Sequence, residues 1–133
     1  MHASATDSSP CPCGLPQSYA ACCGRWHNGP LRLQAPTAEA LMRSRYSAYV
    51  LEDADYLRDT WHPSQRLEEP LRFGEGVRWL GLDVRMHTVQ GAEHATVEFV
   101  ARSKLGGRAQ RLHETSRFVR EEGRWFYVDG DLK

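Results

Sequence analysis

The apolar positions of this 133-residue chain change their period twice. Up to Pro36 they follow no period at all, too sparse and irregular for a segment that folds by burial alone. From Thr37 the pattern turns helical. Thr37 is the expected N-cap of a helix over Ala38 to Leu51, in which Ala38, Leu41, Met42, Tyr46, Ala48 and Tyr49 share one broad arc at 100° per residue. Asp53 is placed to cap a second, shorter helix carrying Tyr56, Leu57 and Trp61 and stopping near His62-Pro63, where proline removes a backbone donor. Residues Ser64 to Gly76 show neither period, and one turn of helix around Arg66 to Glu69 is the only element they predict.

Beyond Trp79 the pattern alternates. Leu80, Leu82, Val84 and Met86 fall on one face of a predicted strand, with Asp83, Arg85 and His87 on the other. Gly91 marks a turn, Ala95, Val97, Phe99 and Ala101 repeat the alternation, and Gly106-Gly107 marks the next turn. Leu112 to Arg120 and Trp125 to Asp129 form the last pair. They meet at Glu121-Glu122-Gly123, where a three-residue loop with a left-handed glycine is expected over a two-residue turn. Helices followed by an antiparallel meander predict an α+β fold, with two or three helices packed on one face of a curved sheet. The expected organisation is a flexible stretch over residues 1–9, a knuckle and linker over 10–36, and a domain over 37–133.

Composition narrows the function. Thirteen aromatic residues can build a core, and no run approaches the ~18 apolar residues of a membrane span. The polar start lacks the basic and apolar regions of a secretion signal, so a cytoplasmic location is expected. Seventeen basic residues balance seventeen acidic ones, which argues against a general nucleic-acid binder. The exception is Arg102 to Arg124, where seven basic residues face three acidic ones. A solvated sheet face is the favoured reading there, and nucleic-acid binding the alternative.

All four cysteines lie in the unpatterned segment, as Cys11-x-Cys13, eight intervening residues, then Cys22-Cys23. Thiolates clustered this tightly in a reducing compartment predict a soft-metal site, and zinc takes four such ligands in a tetrahedron. A fully ligated zinc has no open position for water or substrate, so the ion would be structural. His27 is the alternative fourth ligand should the adjacent Cys22 and Cys23 not both reach, and Arg25 is placed to offset part of the negative charge. Disulfides are the competing reading, although bonding Cys22 to Cys23 would strain a ring between neighbours.

Cys11-Pro12-Cys13-Gly14, Tyr19 and Cys22-Cys23-Gly24 resemble the SEC-C zinc motif, with Leu15-Pro16-Gln17 where Ser-Gly-Lys is usual. The stretches Arg43-Ser44-Arg45-Tyr46-Ser47-Ala48-Tyr49, Trp61-His62-Pro63, Leu112 to Phe118 and Gly123 to Gly130 are similar to those of the YchJ-like family of bacterial proteins. That resemblance implies an N-terminal SEC-C motif followed by an NTF2-like cone of helices on a curved sheet, and no particular activity. The motif implies a surface for a protein partner, the fold a cavity between helices and sheet and, by analogy, a homodimer.

Polar residues that interrupt apolar faces are the candidates inside such a cavity. The helical wheel turns Arg45 inward, and strand alternation puts Glu114 and Ser116 on the face of Leu112 and Phe118, with His113 opposite. A buried arginine needs a partner, so an Arg45–Glu114 ion pair is expected. Tyr46, Tyr49, Trp61 and His62 complete the expected lining. There is no nucleophile elbow and no phosphate loop. A zinc-stabilised adaptor that binds protein through its knuckle, with a cavity open to a small ligand, is the reading these features favour. A cofactor-independent hydrolase, isomerase or dehydratase using Glu114 as base and Arg45 as anion clamp is the alternative. A deep pocket reaching Glu114 would favour the enzyme, and a cavity filled by Tyr46, Tyr49, Trp61 and Phe118 the adaptor.

Overall fold

The computed structural model describes residues 8–69 and 71–133. Most of the stretch expected to be flexible, residues 1–7, lies outside the described residues. Ser9, within that stretch, is tied in: its carbonyl accepts from the Tyr19 amide at 2.8 Å, beside a bridge between Pro10 and Ser18.

The elements follow as a 3-10 turn over Tyr19–Ala21, α1 (Gly24–His27), α2 (Ala38–Leu51), α3 (Ala54–Asp59), β1 (Arg78–Val89), β2 (His94–Leu105), β3 (Arg108–Glu121) and β4 (Arg124–Leu132). Helix α2 has the bounds that periodicity predicts. Thr37 Oγ1 accepts from the Ala40 amide at 3.0 Å, and Glu52 closes the helix in the left-handed region. Asp53 caps α3 by accepting from the Tyr56 amide at 3.1 Å.

Helix α3 ends two residues before Trp61, because the backbone beyond it is claimed by β4. The Tyr127 amide donates to the Thr60 carbonyl at 2.9 Å and the His62 amide to the Tyr127 carbonyl at 2.7 Å. This pairing covers part of an edge strand that would otherwise present open donors and acceptors. The helical turn expected around Arg66 to Glu69 does not form.

The strands make one antiparallel sheet in the order β1-β2-β3-β4. Its inner face carries Ala95, Val97, Phe99, Ala101, Phe118 and Trp125, and these meet Leu41, Met42, Tyr46, Tyr56 and Leu57 in one core. Three bulges bend the sheet and re-aim side chains. Two lie in β1, where Leu80 and Arg85 are each the extra residue opposite β2. They correct the single apolar face expected for this strand. Leu80 (48% exposed) and Met86 (60%) turn outward, whereas Trp79, Leu82 and Val84 pack on the core. The third bulge makes Val128 the extra residue of β4.

The last hairpin also differs from expectation. Glu121 pairs directly with Arg124, leaving a two-residue turn whose Glu122 (φ 52°) and Gly123 (φ 75°) both adopt the left-handed conformation of a type I′ turn. A side chain such as glutamate disfavours that region, whereas asparagine tolerates it. Glu122→Asn should therefore raise stability by up to ~1 kcal/mol in chemical denaturation, with no change in the denaturant slope.

Candidate functional site

The knuckle brings its four cysteines together. Their sulfurs all lie within 4.8 Å of one another, with Cys13 Sγ and Cys22 Sγ 3.6 Å apart, and no disulfide joins them. A tetrahedron with Zn–S bonds of ~2.3 Å has edges of about 3.8 Å, so the donor set and its spacing fit such an ion. Every cysteine is at most 4% exposed. The turn that joins the pairs is held by Tyr19, whose carbonyl lies where a Cβ on Gly24 would collide with it and whose ring packs tightly beside it. Hydrogen bonds from Cys13 and Cys23 push the Cys11 thiol far down, while burial raises Cys22 to about 12 and Cys11 raises Cys23. Four sulfurs crowded away from water cannot all ionise without a cation among them.

Two guanidiniums border the cluster. Arg25 Nε donates to the Cys22 carbonyl at 3.0 Å, as its proximity in sequence suggests. Arg43, from α2, donates to the Cys13 carbonyl at 3.2 Å and is held by Glu39 one turn earlier. Sequence spacing carries no signal for Arg43, because its approach depends on how the knuckle docks.

His27 is no part of the sulfur cluster, which corrects its place as alternative ligand. Both of its ring nitrogens are engaged elsewhere: Nδ1 accepts from the Tyr19 hydroxyl at 2.6 Å, and Nε2 donates to the Ser44 carbonyl on α2 at 2.8 Å. Burial pushes this imidazole below its usual range and favours the neutral tautomer that these partners require. Tyr56 of α3 continues the network by donating to Ser44 Oγ, which donates to the Leu41 carbonyl. The knuckle is thus riveted to α2 rather than hung from it. His27→Gln should keep the metal-binding capacity of the four cysteines and lower stability by roughly 1–3 kcal/mol, read from metal stoichiometry and denaturation of the same sample.

On the far side of α2 a cavity of about 260 Å³ opens between helix and sheet. Arg45, Tyr46, Tyr49, Glu114 and Ser116 line it as expected, joined by Met42, Trp79, Phe99, Phe118 and Tyr127. Trp61 and His62 do not reach it. Trp61 donates to the Val128 carbonyl, and His62 bridges Ser64 and Glu121 against Phe126. His113 faces the other side of the sheet, where its Nε2 meets Glu98 at 2.7 Å.

The expected Arg45–Glu114 ion pair does not form. Arg45, 7% exposed, donates through Nη1 to the Leu57 carbonyl at 2.8 Å and to Thr60 Oγ1 at 2.6 Å, and its guanidinium lies 4.5 Å over the ring of Tyr127. The wheel gives the direction of the side chain correctly, but the open end of α3 lies nearer than the carboxylate. Glu114 accepts from Ser116 Oγ at 2.5 Å and more loosely from the Tyr127 hydroxyl at 3.4 Å, both on Oε2. Tyr127 therefore stands between the two charges.

Gly130 makes room for Glu114, since a Cβ there would collide with the carboxylate. A glycine inside a strand pattern is the sequence signal for such a close approach. Its inward placement depends on the Val128 bulge, which sets Gly130 opposite Ser116 and sends Asp129 out to Arg117. Of the basic stretch, Arg117 is paired to Asp129 and Asp131, and Arg124 donates to the Asp59 carbonyl.

With these features in place, the comparisons with known proteins are direct. Residues 37–130 match the family description "YchJ, middle NTF2-like domain". The chain is 60% identical to a UPF0225 protein of Bordetella pertussis, over 95% of this chain and 96% of that one. It is 59% identical to a UPF0225 protein of Cupriavidus metallidurans, covering 96% and 92%. A solution structure of a SEC-C motif containing protein from Rhodopseudomonas palustris superposes with a TM-score of 0.78 at 37% identity, covering 92% of this chain and 97% of that one. A crystal structure of a SEC-C motif containing protein from Psychrobacter arcticus gives 0.76 at 31% identity, covering 96% and 84%. The match over residues 37–130 and the identity with these relatives along nearly the whole chain show that it belongs to the YchJ family.

Proposed function

We propose that this protein is a cytoplasmic small-molecule-binding protein, made of a zinc knuckle over residues 10–36 and an NTF2-like ligand-binding domain over 37–133. The observation that carries this reading is the open cavity that reaches Glu114 and Arg45. Tyr46, Tyr49 and Phe118 wall it without filling it. The same pocket meets the condition for an enzyme with Glu114 as base, but among the described residues no histidine joins Glu114 in the lining as a partner for proton transfer, which supports binding over proton-transfer catalysis. Zinc on Cys11, Cys13, Cys22 and Cys23 would be structural, since four buried thiolates leave no open coordination position. Unpaired thiols suit a reducing compartment.

A second reading assigns the knuckle to a protein partner. It draws on the rim that remains exposed once the other side of the knuckle is docked on α2: Pro16, Gln17, Ala20 and Ala21.

Freshly purified, reduced protein should carry one equivalent of zinc. Chelation should release four titratable thiols and lower the melting temperature by roughly 5 °C or more. Recovery of disulfides in place of metal would refute the site. For the cavity, at least one of a panel of small aromatic probes differing in charge should shift the resonances of Tyr49 and Trp79 saturably. Ala101 also lines the cavity, and Ala101→Phe, which fills the same space, should abolish the shifts while the chain stays folded. A cavity that takes no probe would leave the knuckle rim as the binding surface.

A further inference from the structure

The cavity holds two opposite charges that do not neutralise each other. Arg45 commits one guanidinium nitrogen, Nη1, to the end of α3, and among the described residues its Nε and Nη2 hydrogen-bond to no protein group. Glu114 commits Oε2 to Ser116 and Tyr127, and among the described residues its Oε1 has no protein partner. Both side chains line the same space, separated by the Tyr127 ring. The rest of the wall is largely aromatic and aliphatic, with Met42, Trp79, Phe99, Ala101, Leu112 and Phe118 among its residues.

The ligand chemistry follows from what each charge would do to a guest. A monoanion on Arg45 would bring its charge toward Glu114, and a monocation on Glu114 would bring its charge toward Arg45, so each loses much of what it gains. A neutral apolar guest strips water from both charges and returns nothing. A guest with a carboxylate and an ammonium group satisfies both ends at once and leaves no net charge inside. The cavity has the volume of about nine water molecules, and its aromatic walls suit a flat or branched apolar group.

We infer that the cone cavity binds a small zwitterion of the α-amino-acid class with a bulky apolar side group, its carboxylate on Arg45 and its ammonium on Glu114. This rests on the reading of the cavity as a ligand site. Gly130 is the specificity-determining residue, because only a residue without a side chain leaves Glu114 where it faces the cavity beside Ser116.

The test uses the full-length, zinc-loaded chain and follows the Trp79 indole N–H by NMR, assigned with Trp79→Phe. The probes are L-phenylalanine, 3-phenylpropionate (which lacks the ammonium), phenethylamine (which lacks the carboxylate) and indole. L-Phenylalanine should saturate the shift, with each singly charged analogue about tenfold weaker or more. Glu114→Gln should collapse the preference for L-phenylalanine over 3-phenylpropionate to near unity. Gly130→Ala should do the same, because the group it displaces is the flexible tip of Glu114 and the fold is spared. Equal binding of the singly charged analogues, or a preference that survives Glu114→Gln, would overturn the inference. Binding of indole alone would overturn it while leaving the ligand-site reading intact, and silence from all four probes would overturn both.

Discussion

A full positive charge sits inside this small domain without a carboxylate against it. Arg45 is held by a helix-end carbonyl, by the Thr60 hydroxyl and by the face of Tyr127. Each of these is a weaker partner than an ion, and burial pushes the guanidinium below its usual range. The arrangement is stable only because three elements converge on one side chain: α2 supplies it, α3 ends against it, and β4 lays an aromatic ring under it. Thr60 can serve because its own proton goes to the Tyr56 carbonyl, leaving its lone pairs free to accept from Arg45. Arg45, which joins the helices to the sheet, therefore lines the cavity with Nε and Nη2 unpartnered among the described residues.

Helix α2 is shared by two sites of opposite character. One face presents Ser44, Ser47 and Arg43 to the knuckle, and the other presents Met42, Arg45, Tyr46 and Tyr49 to the cavity or core. The knuckle has only a small apolar cluster of its own, made largely of the cysteines with Tyr19. Trp26 and Ala35 anchor it in the main core, and polar contacts to α2, with His27 as the central rivet, fix its orientation. Buried networks of this kind demand complete satisfaction, because an orphaned hydroxyl or carbonyl costs more than a made bond returns. That the Tyr19 hydroxyl, both His27 nitrogens and the Ser44 hydroxyl all find partners, together with the burial of Trp26 and Ala35, explains how a segment with so few apolar residues holds one fixed pose.

Local chemistry is what made parts of this molecule legible in its residues. The bounds of α2, the caps at Thr37 and Asp53, the cysteine grouping and the opposite faces of His113 and Glu114 all follow from periods and short-range hydrogen bonds. Apart from the local choice of turn at Glu122-Gly123, the following errors share one cause, competition from groups distant in the chain. Trp61 leaves its helix because β4 pairs with the backbone around it. Leu80 and Met86 turn outward because bulges break strict alternation in β1. His27 serves a carbonyl on α2 instead of a metal. Arg45 takes the end of α3 instead of Glu114.

What the residues determined alone is therefore the inventory: an α+β chain, a thiolate set that suits zinc, and an inward arginine and glutamate on facing elements. Tertiary structure decided how that inventory is used. A single extra residue in β4 brings Gly130 inward in place of Asp129, and Tyr127 comes to stand between the two charges. Bulges and helix-end carbonyls leave no periodic trace, because they arise only when separate elements meet. That is why the charges of the cavity could be read from the sequence and their separation could not.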